Sequence, residues 1–132
     1  MKLFINWSNH PSSSWQEPQR KSAEALGRIV DISFPEVDPK VDIESISKLA
    51  DSLMGDFIVR FPNKQETVVM VQGEMTLLYQ LLRRLEGHGY RAVAASSIRD
   101  VRINADGSET KFFKFHRFRD YFLPASPFLP SV

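Results

Sequence analysis

Two short stretches hold the residue types best suited to chemistry. Ser8-Asn9-His10-Pro11-Ser12-Ser13-Ser14 gathers hydroxyls, a carboxamide and one imidazole, and Gln72-Gly73-Glu74-Met75-Thr76 sets a glycine and polar side chains ahead of a helical pattern. Each follows a short apolar run and opens an amphipathic stretch. In an open α/β sheet that position lies beyond the carboxyl ends of the strands, where ligands bind close to the point at which strand order reverses. Gly73 would let the backbone approach a ligand, and the amides opening the next helix would favour an anion such as a phosphate. The candidate ligand contacts are Ser8, Asn9, Ser12, Ser13, Gln72, Gly73, Glu74 and Thr76, with Ser96 on a later strand.

His10 stands beside Pro11 in a polar loop, which suits proton transfer or hydrogen bonding as well as simple solvation. Thr76 either meets the ligand or caps its own helix, and Glu74 either complements the helix start or contacts a base, a ribose or a partner subunit. Arg99 follows Ala94-Ala95-Ser96-Ser97-Ile98 and is expected at the end of a fourth strand, on the same sheet edge. There its planar fork either grips a phosphate or begins a surface hairpin. Arg117, Phe118, Arg119 and Tyr121 interleave cations with rings, a pattern for clamping nucleotides or for packing the closing segment.

The chain has no cysteine, which removes thiolate metal sites, disulfides and thiol nucleophiles. His88 and His116 do not pair with His10 at metal-ligand spacing. The Gln72–Thr76 segment lacks the spaced glycines and lysine of a triphosphate loop, and no Ser-His-Asp or paired-carboxylate set assembles from such dispersed residues. The expected site contains no metal and no cofactor.

These residues need a scaffold, and the apolar pattern supplies one. Leu3 to Trp7 reads as a buried strand, Ser14 to Leu26 as a helix stopped by Gly27, and Arg28 to Phe34 as a second strand before a turn marked by Pro35, Asp38 and Pro39. From Ile43 to Phe61 apolar residues recur every three or four positions behind Asp42, a helix that must stop before Pro62. Thr67 to Gln72 is a third strand, Met75 to about Glu86 a helix ending at Gly87–Gly89, and Tyr90 to Ser96 a fourth strand. Val101 and Ile103, the Asp106-Gly107 turn, and Phe113 and Phe115 then form a β-hairpin. The order βαβαβαβ predicts a Rossmann-like three-layer α/β sandwich, its mostly parallel sheet ordered 2-1-3-4, with a C-terminal hairpin. Residues 1–122 make one domain, and 123–132, with three prolines, a tail.

A chain of 132 residues with 42% hydrophobic and 25% charged residues can bury one ordinary core. A formal net charge of +1 argues against a protein that coats long nucleic acid. The apolar run after Met1 breaks too early for a signal peptide and no later stretch could span a membrane, so a cytoplasmic location is expected.

INWSNHPS, DISFPEVDP, VMVQGEMTLLYQLLRRL, AASSIRDV and KFFKFHRFRDY together resemble small stand-alone CRISPR-associated Rossmann-fold (CARF-like) proteins of the minimal ring nuclease type, over most of residues 1 to 121. The resemblance implies a homodimer whose twofold axis passes through a pocket for a cyclic oligoadenylate, the second messenger of type III CRISPR defence, with cyclic tetra-adenylate favoured. It also implies metal-independent cleavage, in which a ribose 2′-hydroxyl attacks the adjacent phosphorus and leaves a 2′,3′-cyclic phosphate. His10 would assist proton transfer, Arg99 and the amides near Gly73 would stabilise phosphoryl charge, and Ser8, Asn9 and Gln72 would hold ribose or adenine. The turn at Gly73 lacks the lysine that some relatives carry there. The alternative is a non-catalytic module, either a sensor or sponge that binds the same messenger or an interaction subunit that uses its aromatic hairpin and proline-containing tail.

Overall fold

The structure, a computed structural model, describes residues 1–123. β1 (Leu3–Trp7) is nearly all apolar because layers cover both its faces, as a central parallel strand requires. β2 (Arg28–Ile32) and β3 (Thr67–Val71) flank it in parallel, with Ile5 opposite both Val30 and Val69. β4 (Arg91–Ile103) joins β3 in parallel, with Val93 opposite Met70, and β5 (Glu109–Asp120) closes the sheet antiparallel to β4. The order β2-β1-β3-β4-β5 contains the expected 2-1-3-4 core and its reversal between β1 and β3.

Side-chain alternation along the strands divides the interior into two layers. On one face Ile5, Trp7, Val69, Val71 and Ala92 meet α2 (Ile43–Arg60) and α3 (Met75–Gly87), with Trp7 stacked on Phe57 at 5.2 Å. Phe4, Met70 and Val93 on the other face meet Trp15 and α1 (Glu17–Leu26), with Phe118 packed alongside. Arg84 ties α3 to α2, its Nε donating to Asp51 at 2.8 Å and its guanidinium to Ser47 Oγ at 2.9 Å.

Asp42 caps α2 as expected, its carboxylate accepting from Ser45 N, and Phe61 ends that helix ahead of Pro62. α1 starts three residues later than the serine run suggests. Ser12–Ser14 forms a separate 3-10 turn, and Pro18 falls in the first turn of α1, where its missing N–H costs nothing. Past β2, Ser8 N donates to Ile32 O and Phe34 N to Ser8 O, carrying pairing on to Phe34.

The largest departure is β4, a single strand of 13 residues rather than a strand to Ser96 and a separate hairpin arm. Beyond Val93 it leaves β3 and continues with β5 as a two-stranded ribbon, where exposed charged residues replace the apolar run without breaking the strand. Arg99 therefore lies within a strand, not at the end of one. His116 is an extra residue in β5, since Ser96 pairs with Arg117 and Ser97 with Phe115. Except for Leu123, the tail expected over 123–132 lies outside the described residues.

Candidate functional site

The loop after β1 is organised by a buried carboxamide, which must find partners away from water. Asn6 Nδ2 donates to Asp31 Oδ1 and to the His10 carbonyl, both at 2.9 Å, and Asn6 Oδ1 accepts from Ser8 Oγ at 2.7 Å. Trp15 Nε1 also donates to the His10 carbonyl at 3.1 Å, and His10 N donates to Ser8 Oγ at 3.2 Å. Asp31 reaches across from β2 to accept from Ser12 Oγ at 2.9 Å. The His10 backbone is thus held by three side chains, while its imidazole is exposed and has no protein partner among the described residues. Ser8 and Ser12, two expected ligand contacts, are committed to this internal network. Ser13 is exposed, and its carbonyl accepts from Arg20 at 3.4 Å.

At the end of β3, Gln72 takes over the pairing that β4 abandons. Its Oε1 accepts from Ala95 N at 3.1 Å, and its Nε2 has no partner among the described residues. Gly73 lies over the buried ring of Phe34, where any Cβ would fall inside 3.0 Å of ring carbons. Close approach does explain this glycine, but the approaching group is Phe34. The start of α3 also differs from expectation. Glu74, not Thr76, is the cap, accepting from Thr76 N at 3.0 Å, Leu77 N at 2.8 Å and the Thr76 hydroxyl. These bonds hold the Glu74 carboxyl below the usual glutamate range, the Thr76 hydroxyl contributing most. The amides expected to receive a phosphate already carry a carboxylate.

Asn9, His10, Gln72 and Gly73 do come together, around a hollow of about 340 Å³ completed by Leu78 and Tyr121. A second hollow of about 650 Å³ adjoins it on the α1 side, sharing His10 and Gln72 and lined further by Trp15, Gln19, Ser97, Phe113 and Phe115. The two form one groove across the carboxyl ends of β1 and β3, at the reversal of strand order. Among the described residues its lining contains no Lys, Arg, Asp or Glu. Tyr121 Oη donates to Val71 O at 2.9 Å, and burial raises its phenol above the ordinary tyrosine range.

Glu74 and Thr76 face a different depression, beside Val37, Pro39 and Ile43. Ser96 alternates away from the groove, and its neighbours Ala95 and Ser97 line it instead. Arg99 shares the face of Ser97 and Phe113; it lies two residues past Ser97 along β4, roughly 7 Å by strand rise, and directly across from the groove residue Phe113. Of the aromatic wall, the sequence singles out Tyr121 as a candidate nucleotide clamp, whereas Ser97, Trp15, Phe113 and Phe115 are not legible in it as groove residues. The alternation of Phe113 and Phe115 was the available signal, but facing the groove depends on the long register with β4. Among the described residues no three His, Asp or Glu side chains group as metal ligands, and no helix is long and apolar enough to cross a membrane.

Residues 2–119 match the family described as "Uncharacterized protein MJ1673 family". The chain belongs to the MJ1673 family. No curated protein and no solved structure matches it. In this MJ1673-family chain the match spans β1 to β4 and all of β5 but its last residue, and it includes the groove residues His10, Gln72 and Ser97.

Proposed function

We propose that this protein binds a cyclic oligoadenylate in the groove beside His10 and Gln72 and opens the ring by attack of a ribose 2′-hydroxyl, in type III CRISPR antiviral signalling. The observation that carries the reading is the setting of His10. Its carbonyl is fixed by Asn6 and Trp15 while its imidazole is exposed at a groove walled by rings. Aromatic walls suit stacked adenines, which every base offers through its π-face. Gln72, fixed through Ala95, has an Nε2 that can donate to a base or a phosphoryl oxygen.

In the proposed step the imidazole takes the 2′-hydroxyl proton and the 2′-oxygen bonds to the adjacent phosphorus. The bond to the 5′-oxygen breaks, and the imidazolium returns the proton to that leaving oxygen. The products are a 2′,3′-cyclic phosphate and a free 5′-hydroxyl. Alignment and proton transfer are the contributions such a site can make. The protein acts as a homodimer, and cyclic tetra-adenylate is the favoured ring.

A second reading, a binding module that stores or senses the messenger, is favoured by the uncharged groove lining and by the occupied amides of α3. Few groups remain there to stabilise phosphoryl charge in a transition state. One experiment separates the two readings: purified protein incubated with labelled cyclic tri-, tetra- and hexa-adenylate in EDTA, with binding and single-turnover cleavage followed together. Cleavage to a 2′,3′-cyclic phosphate supports the nuclease, tight binding without cleavage supports the module, and neither binding nor cleavage rejects both.

A further inference from the structure

β4 parts from β3 after Val93, and every residue from Ser97 to Ile103 is exposed. β5 covers one edge of that stretch, and among the described residues no strand lies beside the other. Ala95 N points toward the β3 side, where Gln72 receives it. Strand alternation then directs the N–H and C=O groups of Ser97, Arg99, Val101 and Ile103 out of the free edge.

An open edge is a template for another strand, and proteins ordinarily blunt it with bulges, proline or rows of lysine. The outer edge of β5 is blunted, with a bulge at His116 and cations at Lys111, Lys114, Arg117 and Arg119. The exposed stretch of β4 is not. It carries no proline, glycine or bulge, and it combines Ile98, Val101 and Ile103 with charges of both signs.

The charges select a register. When two copies of one strand pair antiparallel about a twofold axis, a single residue faces its own copy at the centre. Centring on Arg99, Asp100 or Arg102 sets like charges directly across from each other, which destabilises such a pair. Centring on Val101 sets valine against valine, Asp100 against Arg102 of the partner subunit twice over, and Arg99 against Ile103 of the partner subunit. Val101 is also a residue whose hydrogen-bonding groups point outward, as a bonded central pair requires.

We infer that the free edge of β4 is the self-association surface of this protein, pairing residues 99–103 antiparallel with the same residues of a second copy about Val101. The contact is isologous, as a closed dimer requires. It rests on the homodimer reading above, and it sets the twofold axis at Val101 rather than through the ligand pocket that the family resemblance implies. The joined sheet runs β5-β4-β4-β5 through the contact, and the grooves of both copies open on one face of it.

Val101→Pro tests the pairing directly. Proline removes an N–H that faces the open edge, a position where a strand tolerates it, so the β4–β5 ribbon remains. In sedimentation at micromolar concentration the wild type should run at twice its 15.1 kDa mass and Val101→Pro at once that mass, with an unchanged circular dichroism spectrum. Asp100→Arg and Arg102→Asp should each weaken the dimer at least tenfold, and the double exchange should restore it. A wild type that remains monomeric overturns both the homodimer reading and this surface. A dimer that survives Val101→Pro, or single exchanges without effect, overturns the surface alone. Oligoadenylate binding by Val101→Pro is scored separately and bears on the groove.

Discussion

Gly73 and Phe34 fit as a complementary pair, the buried ring filling the space that any side chain at position 73 would need. Gly73→Ala should therefore destabilise the fold by about 1–3 kcal/mol, the range for overpacking a filled interior. Much of that loss should return in Gly73→Ala/Phe34→Leu, since contacting residues couple. Urea unfolding of the four chains checks this, and additive single effects would dissolve the pair.

Glu74 makes acid stability a local question. Its folded pKa is depressed, so its contribution is present above the unfolded glutamate range and is lost as pH falls through the folded value. Glu74→Gln should unfold more easily than wild type at neutral pH, and the gap should close in acid. Thermal melts from pH 7 down to pH 3 read this directly, and a gap that widens in acid would contradict the cap.

Removing Asn6 should loosen the loop that carries His10. Asn6→Ala deletes bonds to Asp31, Ser8 and the His10 carbonyl at once, within a buried space, and should cost about 2–4 kcal/mol. Hydrogen exchange at residues 8–14 should rise more than at β3. Equal protection of that loop in both proteins would show that Asn6 does not hold it.

If ring opening occurs, His10→Ala should reduce single-turnover cleavage by about 100-fold or more, in the range of a lost general base. Arg99→Ala should do less, because Arg99 does not itself line the groove and only its cross-strand partner Phe113 does. Equilibrium binding measured on the same variants separates chemistry from affinity. A larger effect of Arg99 on cleavage would place the reacting phosphate over the ribbon.

Much of this architecture is written locally. The Asp42 cap, the stripe of α2 and the apolar β1 each follow from neighbouring residues, so the layers and the 2-1-3-4 order are legible in the sequence. Sites that depend on distant partners are not. Gly73 looks like a ligand turn until Phe34, far off in sequence, is placed beneath it, and Ser8 looks available until Asn6 claims its hydroxyl. Ser96 and Ser97 are interchangeable in a sequence, and only sheet register decides which of them meets the groove. His10 and Gln72 line one groove because both follow central strands at the reversal of order, a placement legible from the strand pattern.

The central position of β1 constrains the chain while it is being made. β1 leaves the ribosome before the other four strands described, yet its second neighbour, β3, begins only at Thr67. Until then the nascent chain holds Phe4, Ile5 and Trp7 on a strand with one open side, a state prone to wrong pairings. The β4–β5 ribbon has the opposite history, since its strands are joined by a short turn at Asp106-Gly107 and can meet within microseconds of synthesis. Among the described strands the pair that closes fastest is thus also the most C-terminal, and it joins the earlier strands through β4 against β3.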